Sequence, residues 1–331
     1  MVTPLRVVFM GTPQFAVPTL DALIASPHSV VGVVTQPDRP RGRGQQVSFS
    51  PVKQVAVAHG IPVIQPDRLK DDAVKQAFDA WAPDLAVVAA YGKMIPESLL
   101  AHPRLGMINV HASLLPRWRG AAPIHRAVIA GDPETGVTIM RVVKALDAGA
   151  MFATVHRPIG PDDTSDVVEH DLATLGATLL VRVVDQIADG SATETPQDPA
   201  LVTYAARLTK EEGLVDWSLP AEAVHNRVRG LYPWPHAYTY LDDQRVILLR
   251  SRVTLSPSAE APGTIVAITR EGIEVATGAH GRLLIEQVQP EGRRPMAARE
   301  YAAGRRIATG ARFTTPPGLL QPPAQPDGPV A

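Results

Sequence analysis

Cysteine is absent from the 331 residues. That excludes disulfides, thiolate nucleophiles, zinc fingers and iron–sulfur ligation together. No run of 18 apolar residues occurs, and residues 1–10 lack the long apolar stretch and cleavage site of a secretory leader. The expectation is a soluble, cytoplasmic protein. Glycine-rich phosphate loops are also missing. The first turn reads Gly11-Thr12-Pro13, one glycine before a rigid proline, where dinucleotide binding wants several glycines. Gly42-Arg43-Gly44 opens no helix and no Walker A sequence is present, which argues against nicotinamide and ATP chemistry. No two of the ten histidines stand three or four residues apart. A helical two-histidine metal site is therefore not expected, and any cofactor is expected to be organic.

The formal charge is −1, from 32 basic and 33 acidic side chains, which as a total disfavours a nucleic-acid binder. The halves differ. Residues 1–205 carry 17 basic and 20 acidic groups, net −3, and residues 206–331 carry 15 and 13, net +2. Arginine outnumbers lysine 26 to 6 over the whole chain, so codon usage explains the excess as readily as RNA does.

The first 150 residues alternate short apolar runs with helical segments. Residues 5–10, 30–35, 84–90 and 106–111 read as buried strands, with helical spacing over 15–24 and a short helix over 96–101. Repeated βα units predict a Rossmann-like open parallel sheet, an α/β fold whose ligands lie beyond the carboxyl ends of the strands. Residues 137–143 and 151–158 continue as strands. Val168, Leu172, Leu175, Leu179, Val183 and Ile187 predict an amphipathic helix over 164–187, stopped at Asp189-Gly190. After about residue 206 the texture changes to short alternating strands at 237–241, 246–253, 263–268, 272–277 and 282–288. These suggest a small β-barrel or sandwich. The expected domains are 1–205 and 206–314. Residues 315–331, rich in proline and poor in charge, are expected to form a disordered tail.

The segment Asn109-Val110-His111-Ala112-Ser113-Leu114-Leu115-Pro116-Arg117-Trp118-Arg119-Gly120 carries the chemistry. Period-two geometry puts Asn109 and His111 on one face of a strand end. Alone, an N-x-H is more often a capped strand end than a site. A second strand opening at Gly136-Val137-Thr138-Ile139, followed by Leu146-Asp147-Ala148-Gly149, can bring a carboxylate beside the imidazole. An amide, an imidazole and a carboxylate suit acyl transfer from nitrogen to nitrogen: Asn109 for the oxyanion, His111 and Asp147 for the protons.

These residues resemble the folate-dependent formyltransferase family. The resemblance extends through VVFMGTPQFAVPTL (7–20), TQPDRPRGRG (35–44), SPVK (50–53), HASLLPRWRGAAPI (111–124), ETGVTIM (134–140) and LYPWP (231–235). It is strongest to the branch that formylates methionine on initiator tRNA. The resemblance implies Asn109, His111 and Asp147 as the catalytic trio and 10-formyltetrahydrofolate as formyl donor, with no metal. The folate would lie by Ser113, Leu114, Leu115 and Pro116, by Tyr91, Gly92 and Ile95, and by the loop preceding Asp147. It implies a second domain of oligonucleotide-binding barrel type, no membrane association, and a monomer. Arg141 and Lys144 depart from the expected pattern by adding cations near the folate loop.

Residues 36–53 read as a long basic loop, in which the family inserts toward the tRNA acceptor end. Arg39, Arg41 and Arg43, with Lys210 further on, are the implied tRNA contacts, and Lys53, Arg207, Arg227 and Arg229 extend the basic set. Trp118 suits either a stacking surface or a buried anchor, and Tyr232-Pro233-Trp234-Pro235 reads as a rigid turn. Alternatives remain open: a formyltransferase acting on an amino-sugar nucleotide or a purine precursor, a folate-hydrolysing relative, or a catalytically silent RNA-binding module.

Overall fold

The computed structural model describes residues 3–41 and 46–315. Arg43 and residues 316–331 of the expected tail lie outside the described residues. In chain order the elements are β1 (Arg6–Gly11), α1 (Val17–Ile24), β2 (Ser29–Val34), β3 (Arg39–Arg41), β4 (Gln46–Ser48), α2 (Pro51–Ala58), β5 (Val63–Ile64) and α3 (Asp72–Trp81). There follow β6 (Leu85–Ala89), α4 (Glu97–Leu100), β7 (Met107–His111), β8 (Arg119–Gly120), α5 (Pro123–Ala130), β9 (Glu134–Arg141), β10 (Met151–Pro158), α6 (Ser165–Asp189) and β11 (Tyr204–Ala205). The remainder is α7 (Ala221–Gly230), β12 (Ala237–Leu241), β13 (Gln244–Thr254), β14 (Ile265–Ile268), β15 (Ile273–Ala276), β16 (Arg282–Pro290), β17 (Met296–Ala297) and α8 (Ala298–Arg305).

Two compact units share these elements. Among the described residues, the first comprises those up to Ala121, then Thr135–Arg157 and Glu169–Tyr204; the second takes Ala122–Glu134, Pro158–Val168 and residues 205–315.

The first unit is built on a seven-stranded sheet in the order β10-β9-β7-β6-β1-β2-β5. β5, β2, β1, β6 and β7 are parallel neighbours. All five residues of β6 and the last five of β1 are buried, as continuous apolar runs require when helices cover both faces. The parallel expectation ends at β7, to which β9 runs antiparallel; mixed sheets of this kind often carry an antiparallel strand beside a parallel core. Strand order reverses at β1, so the carboxyl ends of β1, β6 and β7 (Gly11, Ala89 and His111) border the crevice where such sheets take ligands.

The stretch 36–53 is not one open loop. β3 and β4 pair as an antiparallel hairpin with Arg39 opposite Ser48 and Arg41 opposite Gln46. The SPVK motif is a helix start: Ser50 accepts the Lys53 backbone N–H at 3.1 Å and Pro51 takes the first helical position. Lys53 is also committed internally, paired with Asp38 and donating to Gln65 Oε1 at 2.6 Å.

In the second unit β12, β13, β16, β15 and β14 form an antiparallel sheet, with β17 added on β16. β12 is buried at alternate residues, the pattern of a strand with one face on a core. The sheet closes through residues 311–314. Ile265 N–H donates to the Ala311 carbonyl and Phe313 N–H to the Gly263 carbonyl, while Tyr240 and Thr314 exchange both backbone bonds. One short segment thus joins the β14 side to the β12 edge, and the expected small barrel is realised. Phe313 stacks on Trp217 at 5.7 Å between ring centroids, and the Trp217 indole N–H donates to Thr239 Oγ1 at 2.9 Å.

His225 on α7 is buried, with Nδ1 3.0 Å from Ser251 Oγ and Nε2 2.9 Å from the Pro161 carbonyl. Burial lowers its pKa below the ordinary 6.5, and the Pro161 carbonyl only partly opposes this. Burial acts the same way on His125 and His236. The unfolded chain then binds more protons near pH 6 than the folded one, so stability is present above the unfolded value and falls as pH drops through it. Urea midpoints should fall between pH 7.5 and pH 5.5, and His225→Gln should flatten that fall.

Candidate active site

β7 delivers Asn109 and His111 to the carboxyl edge of the sheet, where Asn109 stands opposite Met140 and His111 opposite Thr138 on β9. Val110 between them is buried on the other face. Asn109 is half-buried, and among the described residues its carboxamide makes no hydrogen bond. His111 is 5% exposed. Its Nε2 lies 3.0 Å from the Trp118 carbonyl. A carbonyl only accepts, so Nε2 carries a proton and Nδ1 is the variable nitrogen. Nδ1 faces Asp147 Oδ2 at 3.7 Å. The sequence expectation of a carboxylate beside the ring is met in position, at ion-pair rather than hydrogen-bond distance.

Asp147 is held from several sides. Its Oδ2 accepts the Gly120 backbone N–H at 2.8 Å. Gln197 Nε2 donates to the carbonyls of both Asp147 and Gly149 at 2.8 Å. Arg119 fixes that carboxamide by donating Nε and Nη2 to Gln197 Oε1 at 3.0 and 2.7 Å. Asp147 sits at φ 45°, a left-handed conformation that aspartate tolerates when its surroundings impose it. Sequence reasoning passed over Gln197, which stands in a polar stretch with no motif around it.

The glycines of the two motifs are explained by close approach. A Cβ on Gly149 would lie 1.9 Å from the Arg141 carbonyl oxygen, and one on Gly136 would lie 2.1 Å from that of Val155. The loop between β9 and β10 folds back on its own strand, which is what brings Asp147 to His111. The facing loop is braced as well. Thr138 Oγ1 donates to the Ser113 carbonyl and accepts the Leu115 N–H, while Ser113 Oγ donates to the Arg117 carbonyl. Trp118 N–H donates to Thr203 Oγ1 at 2.9 Å. Trp118 is half-buried at φ 64°, with the Arg117 guanidinium 4.3 Å from its ring centroid.

The residues expected around a folate fall into two groups. Ser113, Leu115 and Tyr91 are buried, and burial pushes the Tyr91 phenol up to about 12. Gly92 is exposed, and Leu114, Pro116 and Ile95 are half-exposed. Met94, Val143 and Leu146 are apolar and exposed by 66%, 39% and 47%. Arg141, one of the two added cations, is bound to Glu194 and the Leu105 carbonyl and stacks on Phe152. Lys144 is open to solvent and pairs with Glu97 at 3.4 Å.

Of the residues expected to meet RNA, Arg39 and Arg41 belong to the β3–β4 hairpin, and Lys210 and Arg207 are exposed. Arg227 and Arg229 do not extend a basic track. Arg227 donates to the Glu212 carbonyl, and Arg229 is 6% exposed and bound to Asn226, Gly160 and Asp163. Among the described residues no group of three or more His, Asp or Glu is placed to hold a metal ion, and no helix is long and apolar enough to cross a membrane.

The close approach at Gly149 yields a direct test. Gly149→Ala forces the loop off its strand and should lower unfolding stability by about 2–4 kcal/mol, an overpacking cost with backbone as the obstacle. Urea unfolding of the variant, against Ala148→Gly as control, measures it.

A family model described as formyl transferase matches residues 5–184, and one described as formyl transferase, C-terminal domain, matches residues 207–306. Two curated relatives bear the name methionyl-tRNA formyltransferase. The protein from Citrifermentans bemidjiense is 47% identical over 302 residues, covering 91% of this chain and 94% of its own. That from Methylococcus capsulatus is 48% identical over 298 residues, covering 90% and 96%. Among solved structures, an N-formyltransferase from Helicobacter canadensis in complex with folinic acid and dTDP-3-aminofucose superposes with a TM-score of 0.66 at 14% identity, over 86% of this chain and 99% of that one. HypX from Aquifex aeolicus with tetrahydrofolic acid reaches 0.64 at 15% identity, over 93% of this chain and 48% of that one. At such identities these two structures speak for the fold alone. Through both models and along nearly its whole described length, the chain belongs to the formyl transferase family.

Proposed function

We propose that this chain transfers a formyl group from 10-formyltetrahydrofolate to the α-amino group of methionine on initiator tRNA. The observation that carries the chemistry is an unengaged amide, Asn109, on the same strand face as a buried His111 whose free nitrogen looks at Asp147. The acceptor rests on relatives 46–48% identical over 90–91% of the chain, each named methionyl-tRNA formyltransferase. Residues 1–205 carry the transfer, residues 206–314 assist in holding the tRNA, and the protein works as a monomer in the cytoplasm.

The residues present fit a folate. Exposed Met94, Val143 and Leu146 offer apolar surface for a flat ring system, beside half-exposed Ile95 and Pro116. When bound, the folate supplies an activated formyl carbonyl. Asn109 Nδ2 has its protons unspent and donates one to the oxygen on which negative charge gathers. His111 keeps Nε2–H on the Trp118 carbonyl, so Nδ1 is the atom that accepts and returns a proton. A proton on Nδ1 faces the Asp147 carboxylate at 3.7 Å, and Gly120 N–H holds that carboxylate in place. Gln197 and Arg119 touch no reacting atom; they set where Asp147 stands. Arg39, Arg41, Arg43 and Lys210 are proposed to contact tRNA.

Formyl transfer to charged initiator and elongator methionine tRNAs tests the reading, and the initiator should be strongly preferred. Asn109→Ala should lower kcat about 100- to 1000-fold, the usual cost of one oxyanion donor, and His111→Ala should be at least as severe. Neither should weaken tRNA binding by more than about twofold, because neither belongs to the basic set. Collapse of binding in both variants would point to a structural role. Gln197→Ala should lower kcat about tenfold while KM for either substrate stays near the wild-type value, as expected of lost orientation.

A further inference from the structure

Aromatic residues make up 5% of the chain, yet Tyr232, Trp234, Tyr238 and Tyr240 fall close together, and His236 completes a run with a ring at every second position. On β12 that period turns Ala237, Thr239 and Leu241 into the core and leaves Tyr238 and Tyr240 half-exposed on the outer face. Two pairs of rings touch. Tyr232 meets His236 at 5.5 Å between centroids, and Tyr238 meets Tyr240 at 6.0 Å, both edge to face. Trp234, between the pairs in sequence, is 50% exposed. Arg245 on β13 stands opposite Tyr240 and lays its guanidinium 3.9 Å from the Tyr238 ring centroid. Among the described residues it has no carboxylate partner, and its Nε is buried without a hydrogen bond. An aromatic face holds that cation, so its charge is left unspent.

Chemistry and placement both say what such a face receives. Half-exposed rings with an arginine stacked among them suit unpaired nucleobases, because every base has a π-face and the guanidinium adds a cation–π attraction. The segment that carries Lys210 packs directly on these rings. Leu214 bridges Tyr238, and a Cβ on Gly213 would lie 2.9 Å from the Tyr238 ring. Arg207 and Lys210, both exposed, therefore bring cations for a phosphate backbone to the same side of the barrel. The neighbouring carboxylates do not close the face: Asp242 pairs with Arg305 at 3.6 Å, and Glu211 and Asp243 are turned to water. We infer that this aromatic face stacks unpaired bases of the tRNA. The inference rests on the proposed acceptor and adds a binding mode to it. Stacking tells single-stranded RNA from paired RNA, a distinction that phosphate contacts alone do not draw.

Binding of the full chain to a short oligoadenylate, an oligouridylate of equal length and a blunt RNA duplex, each across a salt series, tests this. Oligoadenylate should bind tightest, because purines stack best, and uncharged tRNA should displace it. The double variant Tyr238→Leu, Tyr240→Leu keeps apolar bulk and removes the rings. It should bind oligoadenylate about tenfold more weakly, bind the duplex as wild type does, and keep the salt slope, since no phosphate contact is lost. Tyr238→Phe with Tyr240→Phe should match wild type. No loss in the leucine pair, an equal loss on the duplex, or a flattened salt slope overturns the inference, as does failure of tRNA to compete. Dimerisation of wild type that the leucine pair abolishes would give the face to a second copy of the chain and overturn it too. Should the leucine pair fail to fold, crosslinking of an iodouridine oligonucleotide to the unaltered protein decides: attachment at Tyr238 or Tyr240 supports the inference, and attachment only elsewhere overturns it. These mixtures contain neither methionine nor folate, so the result does not depend on turnover. Absence of formyl transfer to charged initiator tRNA would count against the proposed activity instead.

Discussion

One carboxamide holds the reactive corner together. Gln197 donates to two carbonyls of the loop that carries Asp147, and Arg119 holds Gln197 from the loop on the opposite side. The same Arg119 precedes Gly120, whose N–H grips the Asp147 carboxylate. Two loops that follow different strands are therefore locked by a closed circuit of charge-assisted and backbone bonds. Such a circuit is worth more than its parts, because every member is satisfied and a missing one strands the others. His111 then has a fixed partner on each side of its ring, a carbonyl at Nε2 and a carboxylate facing Nδ1. The strained φ of Asp147 and of Trp118 is tolerated because the circuit surrounds them.

What could be read in advance follows from which physical signals are local. Continuous burial of β1 and β6 reads out as unbroken apolar runs, and α6 as a three-to-four period with Val168, Leu172, Leu179 and Val183 all buried. Asn109 and His111 are legible because period two places them on one face, and Asp147 because it follows a second strand in an L-D-x-G context. The start of α2 reads as the end of the 36–53 loop because it lies among arginines, prolines and glycines, and only Ser50 and Pro51 mark it. Gln197 and the tethering Thr203 were beyond reach. They act through distances of 50 and 85 residues along the chain, and no periodicity reports a contact of that kind. The orientation of β9 was equally hidden, since an apolar run does not say which way it points.

Charge behaved the same way. A basic residue counts equally in a net sum whether or not it is already engaged. Lys53 is held by Asp38, Arg126 by Glu212, Arg141 by Glu194 and Arg157 by Asp171, and Arg229 is buried on backbone carbonyls. The residues left for a partner are those without such commitments; Arg68, Lys70 and Lys210 are exposed and have no carboxylate partner among the described residues. The net +2 beyond residue 205 is a poor guide to where an anion binds; the unspent cations are a better one.

The three residues that close the barrel carry a consequence for self-association. Ala311, Phe313 and Thr314 occupy the Ile265 N–H, the Gly263 carbonyl and both backbone groups of Tyr240, so neither β12 nor the β14 side offers an unpaired edge there. Cut that segment away, and the same sheet would present two bare strands to its neighbours, a template for edge-to-edge pairing between molecules. Proteolytic nicking near residue 311 would therefore be felt first as aggregation of otherwise folded chains, before any loss of the crevice that holds Asn109 and His111.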